Sequence, residues 1–298
     1  MKEMKDFRRI IVALDNTEFD QKLLKYFSHF CDLSNPGKIY FTYVDSNLEL
    51  TFDFDIVYKD DKGLPIPKDE LISKIIHETL RESFGTRHGS KVSVNILEGS
   101  PLKAILHWEK VKNADLIVVG NKKSSNGSGV EAKIIARNTK ASMLFVPETS
   151  RKNIRKILIP IDFSENSKVA MKNALEIAKK LHDPEIICFN MFNTPLASYP
   201  TINMNYEKFI KSIASFKKEA FDKYIDKFDT KGLDIRTDYV ENTHNNVATH
   251  INEYANQNNF DLIMMSAQGH SLLERTIMGS VTEKLLSLDK EVPVMIFR

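Results

Sequence analysis

The chain of 298 residues is long for one hydrophobic core and natural for two domains of about 150 residues, expected at 1–150 and 151–298. Its 42 basic and 40 acidic side chains are spread evenly, with 22 and 21 in residues 1–150 and 20 and 19 in the rest, so charge gives no reason to expect nucleic acid or an acidic surface as partner. A composition 42% hydrophobic and 28% charged excludes wholesale disorder, and no window approaches the roughly 18 apolar residues of a membrane span, so a cytoplasmic protein with no membrane partner is expected.

The elements come in two matching series. Residues 7–45 overlay 154–192: each begins with a basic pair and a short apolar run that ends in Asp, Ile10 to Asp15 and Ile157 to Asp162. Such runs read as strands buried on both faces, as in parallel sheets. Helix starts follow at Asn16-Thr17-Glu18 and Phe163-Ser164-Glu165, where hydroxyls and carboxylates can cap free N–H groups. Apolar positions then recur at Leu23, Phe27, Phe30 and Cys31, and at Ala170, Ala174, Ile177 and Ala178, the same helical face displaced by 147 residues. Cys31 and Cys188 read as buried packing residues, since a lone pair so far apart builds neither a disulfide framework nor a CxxC motif.

Second strands are predicted at Ile39 to Val44 and Ile186 to Phe192, and helices at 68–84 and 206–228, the latter with Phe209, Ile213, Phe216 and Ala220 on one face and Lys211, Lys217 and Lys218 on a solvated one. Third strands (Val92 to Leu97; Ile235 to Val240), third helices (101–113; 245–257) and fourth strands opening on Asp115-Leu116-Ile117 and Asp261-Leu262-Ile263 come next. A Gly/Ser loop, a last helix and a closing strand (Ser142 to Val146; Pro293 to Phe297) complete each half, with 148–154 as linker. Alternating strands and helices predict an α/β fold of two repeated, doubly wound, parallel five-stranded sheets. Ligands then belong where the winding reverses, just after the first and fourth strands.

At that point in the second half stand Asp162 and, after Met265-Ser266-Ala267-Gln268-Gly269, a nine-residue spacer and Gly279-Ser280-Val281. The glycines let a phosphate approach the backbone, and a helix opening at Ser280 aims free N–H groups at an anion. Pro160-Ile161-Asp162-Phe163-Ser164 together with Gly269-x9-Gly279-Ser280 resembles the universal stress protein family, whose ATP-binding members carry Gly-x2-Gly-x9-Gly-[Ser/Thr]; the duplicated pattern resembles a tandem member. The resemblance implies an adenine nucleotide alpha hydrolase-like fold and ATP, with or without Mg²⁺, or another adenosine nucleotide as ligand. Pro160, Asp162 and Met191 would surround adenine and ribose, while Met265, Ser266, Gly269, Gly279, Ser280 and Val281 would line ribose and phosphates.

Ser266 departs from the signature's first glycine, a cost of roughly 1–2 kcal/mol if that position requires a left-handed backbone. The first half departs further: Gly120 and Gly127-Ser128 remain, but Lys123 replaces the second glycine, Ser124–Asn126 replace the long spacer, and Ala13 replaces the proline before Asp15. Weak or no nucleotide binding is expected there, with Lys122 and Lys123 left to catch an anion. Ser280 to Glu283 and Ser128 to Glu131 also fit capping boxes, and Asp162 and Asp15 fit turn formers. The predicted function is a stress-response sensor or regulator with at most slow ATP hydrolysis; the alternative is a nucleotide-independent interaction protein of the same fold. Neither a Walker loop nor a Ser-Gly-Gly-x-Asp-Ser loop is present. By resemblance to single-domain relatives, the closing strands around Leu144 and Met295 are expected to pair within the chain, and a homodimer is compatible with this.

Overall fold

A computed structural model describes residues 7–48, 62–63, 66–85, 91–122, 128–151, 153–192, 206–242, 246–269, 278–288 and 291–298, without the side chains of 128–130, 206–211 and 214. The chain divides into two compact units, Lys5–Asn153 and Ile154–Arg298. The first runs β1 (Arg9–Leu14), α1 (Phe19–Ser34), β2 (Lys38–Asp45), α2 (Lys68–Ser83), β3 (Val92–Glu98), α3 (Pro101–Lys112), β4 (Leu116–Asn121), α4 (Ser128–Asn138) and β5 (Ser142–Pro147). Its strands lie in the order β3-β2-β1-β4-β5, all parallel. The second runs β6 (Lys156–Pro160), α5 (Glu165–Ala178), β7 (Glu185–Phe192), α6 (Tyr206–Ile225), β8 (Asp234–Glu241), α7 (Val247–Gln257), β9 (Leu262–Ser266), α8 (Ser280–Leu288) and β10 (Val294–Phe297). Its order is β8-β7-β6-β9-β10, again all parallel. Both sheets therefore reverse their winding between the first and fourth strands of the unit.

The apolar runs become central strands because both faces are covered. Ile10, Ile11 and Val12 in β1, and Ile157, Leu158 and Ile159 in β6, are fully buried. The repeated helical stripe faces inward in both units: Leu23, Phe27, Phe30 and Cys31 in α1, and Ala170, Ala174, Ile177 and Ala178 in α5. Burial pushes both thiols up, so Cys31 and Cys188 remain protonated packing groups.

The recurring Asp-Leu-Ile has a structural reason. Asp115 Oδ2 accepts from the N–H of Arg9 at 2.9 Å, and Asp261 Oδ2 accepts from the N–H groups of Arg155 and Lys156 at 3.1 and 2.8 Å. Each carboxylate thus locks the entrance of one central strand onto its neighbour, and β4 and β9 begin one residue later than predicted.

Helix α6 forms where its period predicts, but its buried face is turned from the predicted one: Ile213 is half-buried, and the side chain of Phe209 lies outside the described residues. Phe216 is 73% exposed and Ala220 is exposed, whereas Phe221 and Tyr224 are 7% and 3% exposed. Tyr224 stacks edge-on with Phe163 and tilts against Phe228, which sets the rotation of the helix. Lys217, on the same stripe as Phe221 and Tyr224 at i, i+4 and i+7, is half-buried and not on a solvated face; Lys218 is exposed, and the Lys211 side chain lies outside the described residues.

Candidate functional site

Two turns at the carboxyl end of the Ile154–Arg298 sheet build the site. Beyond β6 the chain stays tied to β7 through Ile161 N–H and Phe189 O at 2.9 Å, and Asp162 Oδ1 accepts from Ser164 N–H at 3.0 Å. Phe163 adopts a left-handed φ of 63°, held by its ring packing on Tyr224 at 5.5 Å. Ser164 then caps α5 by accepting from Ser167 N–H at 3.1 Å. Beyond β9, Ala267 N–H donates to Phe297 O at 2.8 Å, and Ala267 O accepts from Gly279 N–H at 2.7 Å. This last bond brings the start of α8 back against the sheet, with Thr282 Oγ1 donating to Ser266 O at 3.2 Å.

The turns border a cavity of about 330 Å³, within the size range of small-molecule sites. All nine residues singled out from the sequence line it: Pro160, Asp162, Met191, Met265, Ser266, Gly269, Gly279, Ser280 and Val281. Gly279 O accepts from Glu283 N–H at 3.0 Å, so the first turn of α8 closes on Gly279 and Ser280 stands inside the helix, not at the cap. The capping-box reading of Ser280 therefore does not describe this turn. Asp162 is a turn former and a cavity wall at once.

The glycines serve by lacking a side chain, not by their φ, since neither has a positive one. A Cβ on Gly269 would lie 2.8 Å from Asp162 Oδ2, and one on Gly279 would lie 3.2 Å from Ala267 O. Nor does Ser266 sit in a left-handed conformation: it is the last residue of β9, and its hydroxyl donates to Gln268 O at 2.5 Å. The backbone cost considered for a serine at this position does not arise, because a strand conformation suits any L-residue.

Several lining residues escaped the sequence reading: Ser167, Asn190, Lys217, Val247, Ile251, Gln268 and Thr282. Val247 and Ile251 belong to α7, which covers the sheet beside Met191; only the spatial order of strands brings them there. Asn190 is 2% exposed and donates from Nδ2 to Ile161 O at 2.8 Å, while its Oδ1 has no hydrogen-bond partner among the described residues. A polar residue near the end of an otherwise apolar strand was the available signal for it.

The corresponding region of Lys5–Asn153 is built otherwise. A cavity of about 200 Å³ is lined by Asp15, Phe19, Asp20, Gly120 and Glu131, among others. A Cβ on Gly120 would lie 2.3 Å from the Phe19 ring, so the ring occupies the space that this glycine leaves. Lys122 forms an ion pair with Asp15, donates to Thr17 Oγ1 at 2.9 Å, and lies over Phe19 at 5.8 Å from the ring centre. Its charge is thus committed, contrary to the expectation that it waits for an anion; Lys123, Ser124–Asn126 and Gly127 lie outside the described residues. Asp20 reaches back to accept from Asp15 N–H at 3.3 Å and Asn16 N–H at 2.8 Å, tying down the turn that Asp162 holds in the other unit by accepting from Ser164 N–H. Burial, reinforced by the neighbouring Asp15 carboxylate, pushes the Asp20 carboxyl up to about 7, against the lowering effect of those N–H groups and of Lys122.

Among the described residues no helix is long and apolar enough to cross a membrane, and no group of three or more His, Cys, Asp or Glu could hold a metal ion. His270, which follows Gly269 and reads from the sequence as an exposed loop residue, lies outside the described residues.

Comparison with known proteins agrees with the duplicated architecture. The family model of the Universal stress protein family matches residues 6–147 and again 153–298, and the chain belongs to this family as a tandem of two such domains. A universal stress protein of Methanocaldococcus jannaschii is 30% identical over 145 residues, which is 48% of this chain and 82% of that protein. Among solved structures, a universal stress protein from Archaeoglobus fulgidus shares the fold at a TM-score of 0.61 and 17% identity, over 98% of both chains. A functionally unknown protein from Pseudomonas aeruginosa shares it at a TM-score of 0.64 and 13% identity, over 98% of this chain and 92% of that one.

Proposed function

We propose that this protein binds ATP or another adenosine nucleotide in the Ile154–Arg298 unit and acts in the cytoplasm as a stress-response sensor or regulator. One observation carries the reading: Asp162, Gly269 and the first turn of α8 line a single cavity in which any side chain at Gly269 or Gly279 would press on its walls. The purine would lie against Pro160, Phe189 and Met191, near the free Oδ1 of Asn190, an acceptor for an amino-bearing edge. The ribose would meet Asp162, and the phosphates the N–H groups at Ser280 and Val281, where the helix dipole favours negative charge. In Lys5–Asn153 the ring of Phe19 and the Asp15–Lys122 pair stand where these groups would be needed, so we assign nucleotide binding to one unit.

A ligand so held regulates only through different affinities for two states of the protein. Isothermal titration of the full chain with ATP, with and without Mg²⁺, tests the reading. One site per chain is expected, abolished or strongly weakened by Asp162→Ala. Absence of binding up to millimolar ATP would refute the nucleotide reading and favour an interaction protein of the same fold.

A further inference from the structure

The cavity of the Ile154–Arg298 unit has two charged side chains in its described wall, Asp162 and Lys217. Lys217 comes from α6, outside both turns that carry the glycine pattern, and reaches the cavity because it shares the inward stripe with Phe221 and Tyr224. Its backbone is fixed from the sheet: the Tyr239 hydroxyl donates to Lys217 O at 3.2 Å. Its ammonium group lies over Phe163, 5.5 Å from the ring centre, near the outer reach of a cation–π contact. Among the described residues no carboxylate lies within ion-pair distance of it. The contrast with Lys122, paired to Asp15 and Thr17 in the other unit, is direct. A half-buried lysine whose ammonium group has no carboxylate partner among the described residues, beside a cavity whose other anion-attracting feature is a helix N-terminus, is suited to a polyanionic ligand.

We propose that Lys217 reads the phosphates of the ligand and sets the preference of the site for a nucleoside di- or triphosphate over the uncharged nucleoside. This rests on the nucleotide reading above. The helix N-terminus contributes a partial charge through fixed dipoles; Lys217 adds a full, mobile one that a nucleoside cannot use. Its perch on Phe163 couples the same cation to the strained turn that follows Asp162, so engaging the phosphates draws it off the ring.

The test is titration of the full chain with ATP and separately with adenosine, for wild type, Lys217→Met and Lys217→Arg. Met keeps the alkyl stem against Phe163 and removes the charge; Arg keeps the charge. Lys217→Met is expected to weaken ATP about ten-fold or more while adenosine changes less than about two-fold, with Lys217→Arg recovering most of the ATP affinity. In the wild type, the advantage of ATP over adenosine should shrink as NaCl rises from about 0.05 to 0.5 M, a readout independent of how the variants fold. Unchanged ATP binding by Lys217→Met, equal losses for ATP and adenosine, or a salt-independent preference would each overturn the assignment of Lys217 and leave the nucleotide reading standing. Wild type that binds neither ligand would overturn both.

Discussion

Replacing Asp20 by asparagine is the sharpest probe of how the Lys5–Asn153 unit differs from its companion. Asp20 is 4% exposed, and its carboxyl titrates near 7 in the folded chain against an ordinary 3.8. The sign follows from proton binding: a carboxyl whose value is raised by folding holds its proton more tightly when folded, so the folded state is favoured at low pH. That advantage is full below about pH 4, is lost as pH rises through 7, and is gone above it. A rise of about 3 units corresponds to an upper limit of about 4 kcal/mol. The substituted amide would still offer one oxygen to the N–H groups of Asp15 and Asn16 but carries no charge at any pH. Asp20→Asn is therefore expected to be close to wild type in stability at pH 4, with the difference growing in its favour through about 1.5 kcal/mol at pH 5 to an upper limit of about 4 kcal/mol at pH 8. Urea denaturation of the full chain at pH 4, 5, 6, 7 and 8, followed by circular dichroism, measures this. If the stability difference between Asp20→Asn and wild type is the same at pH 8 as at pH 4, the carboxyl acts as an ordinary capping acceptor and burial does not raise its titration as described.

Gly279→Ala would place a methyl 3.2 Å from Ala267 O, a carbonyl that already accepts from residue 279; the expected loss is about 1 kcal/mol, read by thermal melting, with a larger proportional loss in ATP affinity by titration. Ser266→Gly completes the family signature but relieves no strain and removes the bond to Gln268 O, so it should lower stability by about 1 kcal/mol and improve ATP affinity by less than about two-fold. The rotated face of α6 predicts that Phe216→Ser changes stability by less than about 0.5 kcal/mol while Phe221→Ala costs about 3–5 kcal/mol, measured by chemical denaturation.

Strand and helix positions and nine of the residues that line the cavity were legible in the sequence because each depends on local pattern: an apolar run ending in Asp, a repeated stripe, a glycine spacing. What stayed hidden depends on tertiary packing. Lys217 sits in a lysine-rich stretch, and only the stacking of Tyr224 on Phe163 turns it inward. Phe216 has the composition of a core residue and faces solvent because Phe221 and Tyr224 claim the sheet. The occupation of the Gly120 recess by Phe19 was likewise illegible, since the glycine survives in the sequence while the space beside it does not. Ser266 carried a false warning: the family's glycine suggested a special backbone, but the position is ordinary strand.

A crystal structure of the full chain grown with ATP tests the central claim most directly. One nucleotide is expected, with its purine against Pro160 and Met191, its phosphates at Gly269 and Ser280, and the ammonium group of Lys217 turned from Phe163 toward them. A nucleotide seated instead beside Asp15 and Phe19, or a cavity left empty at saturating ATP, would contradict it.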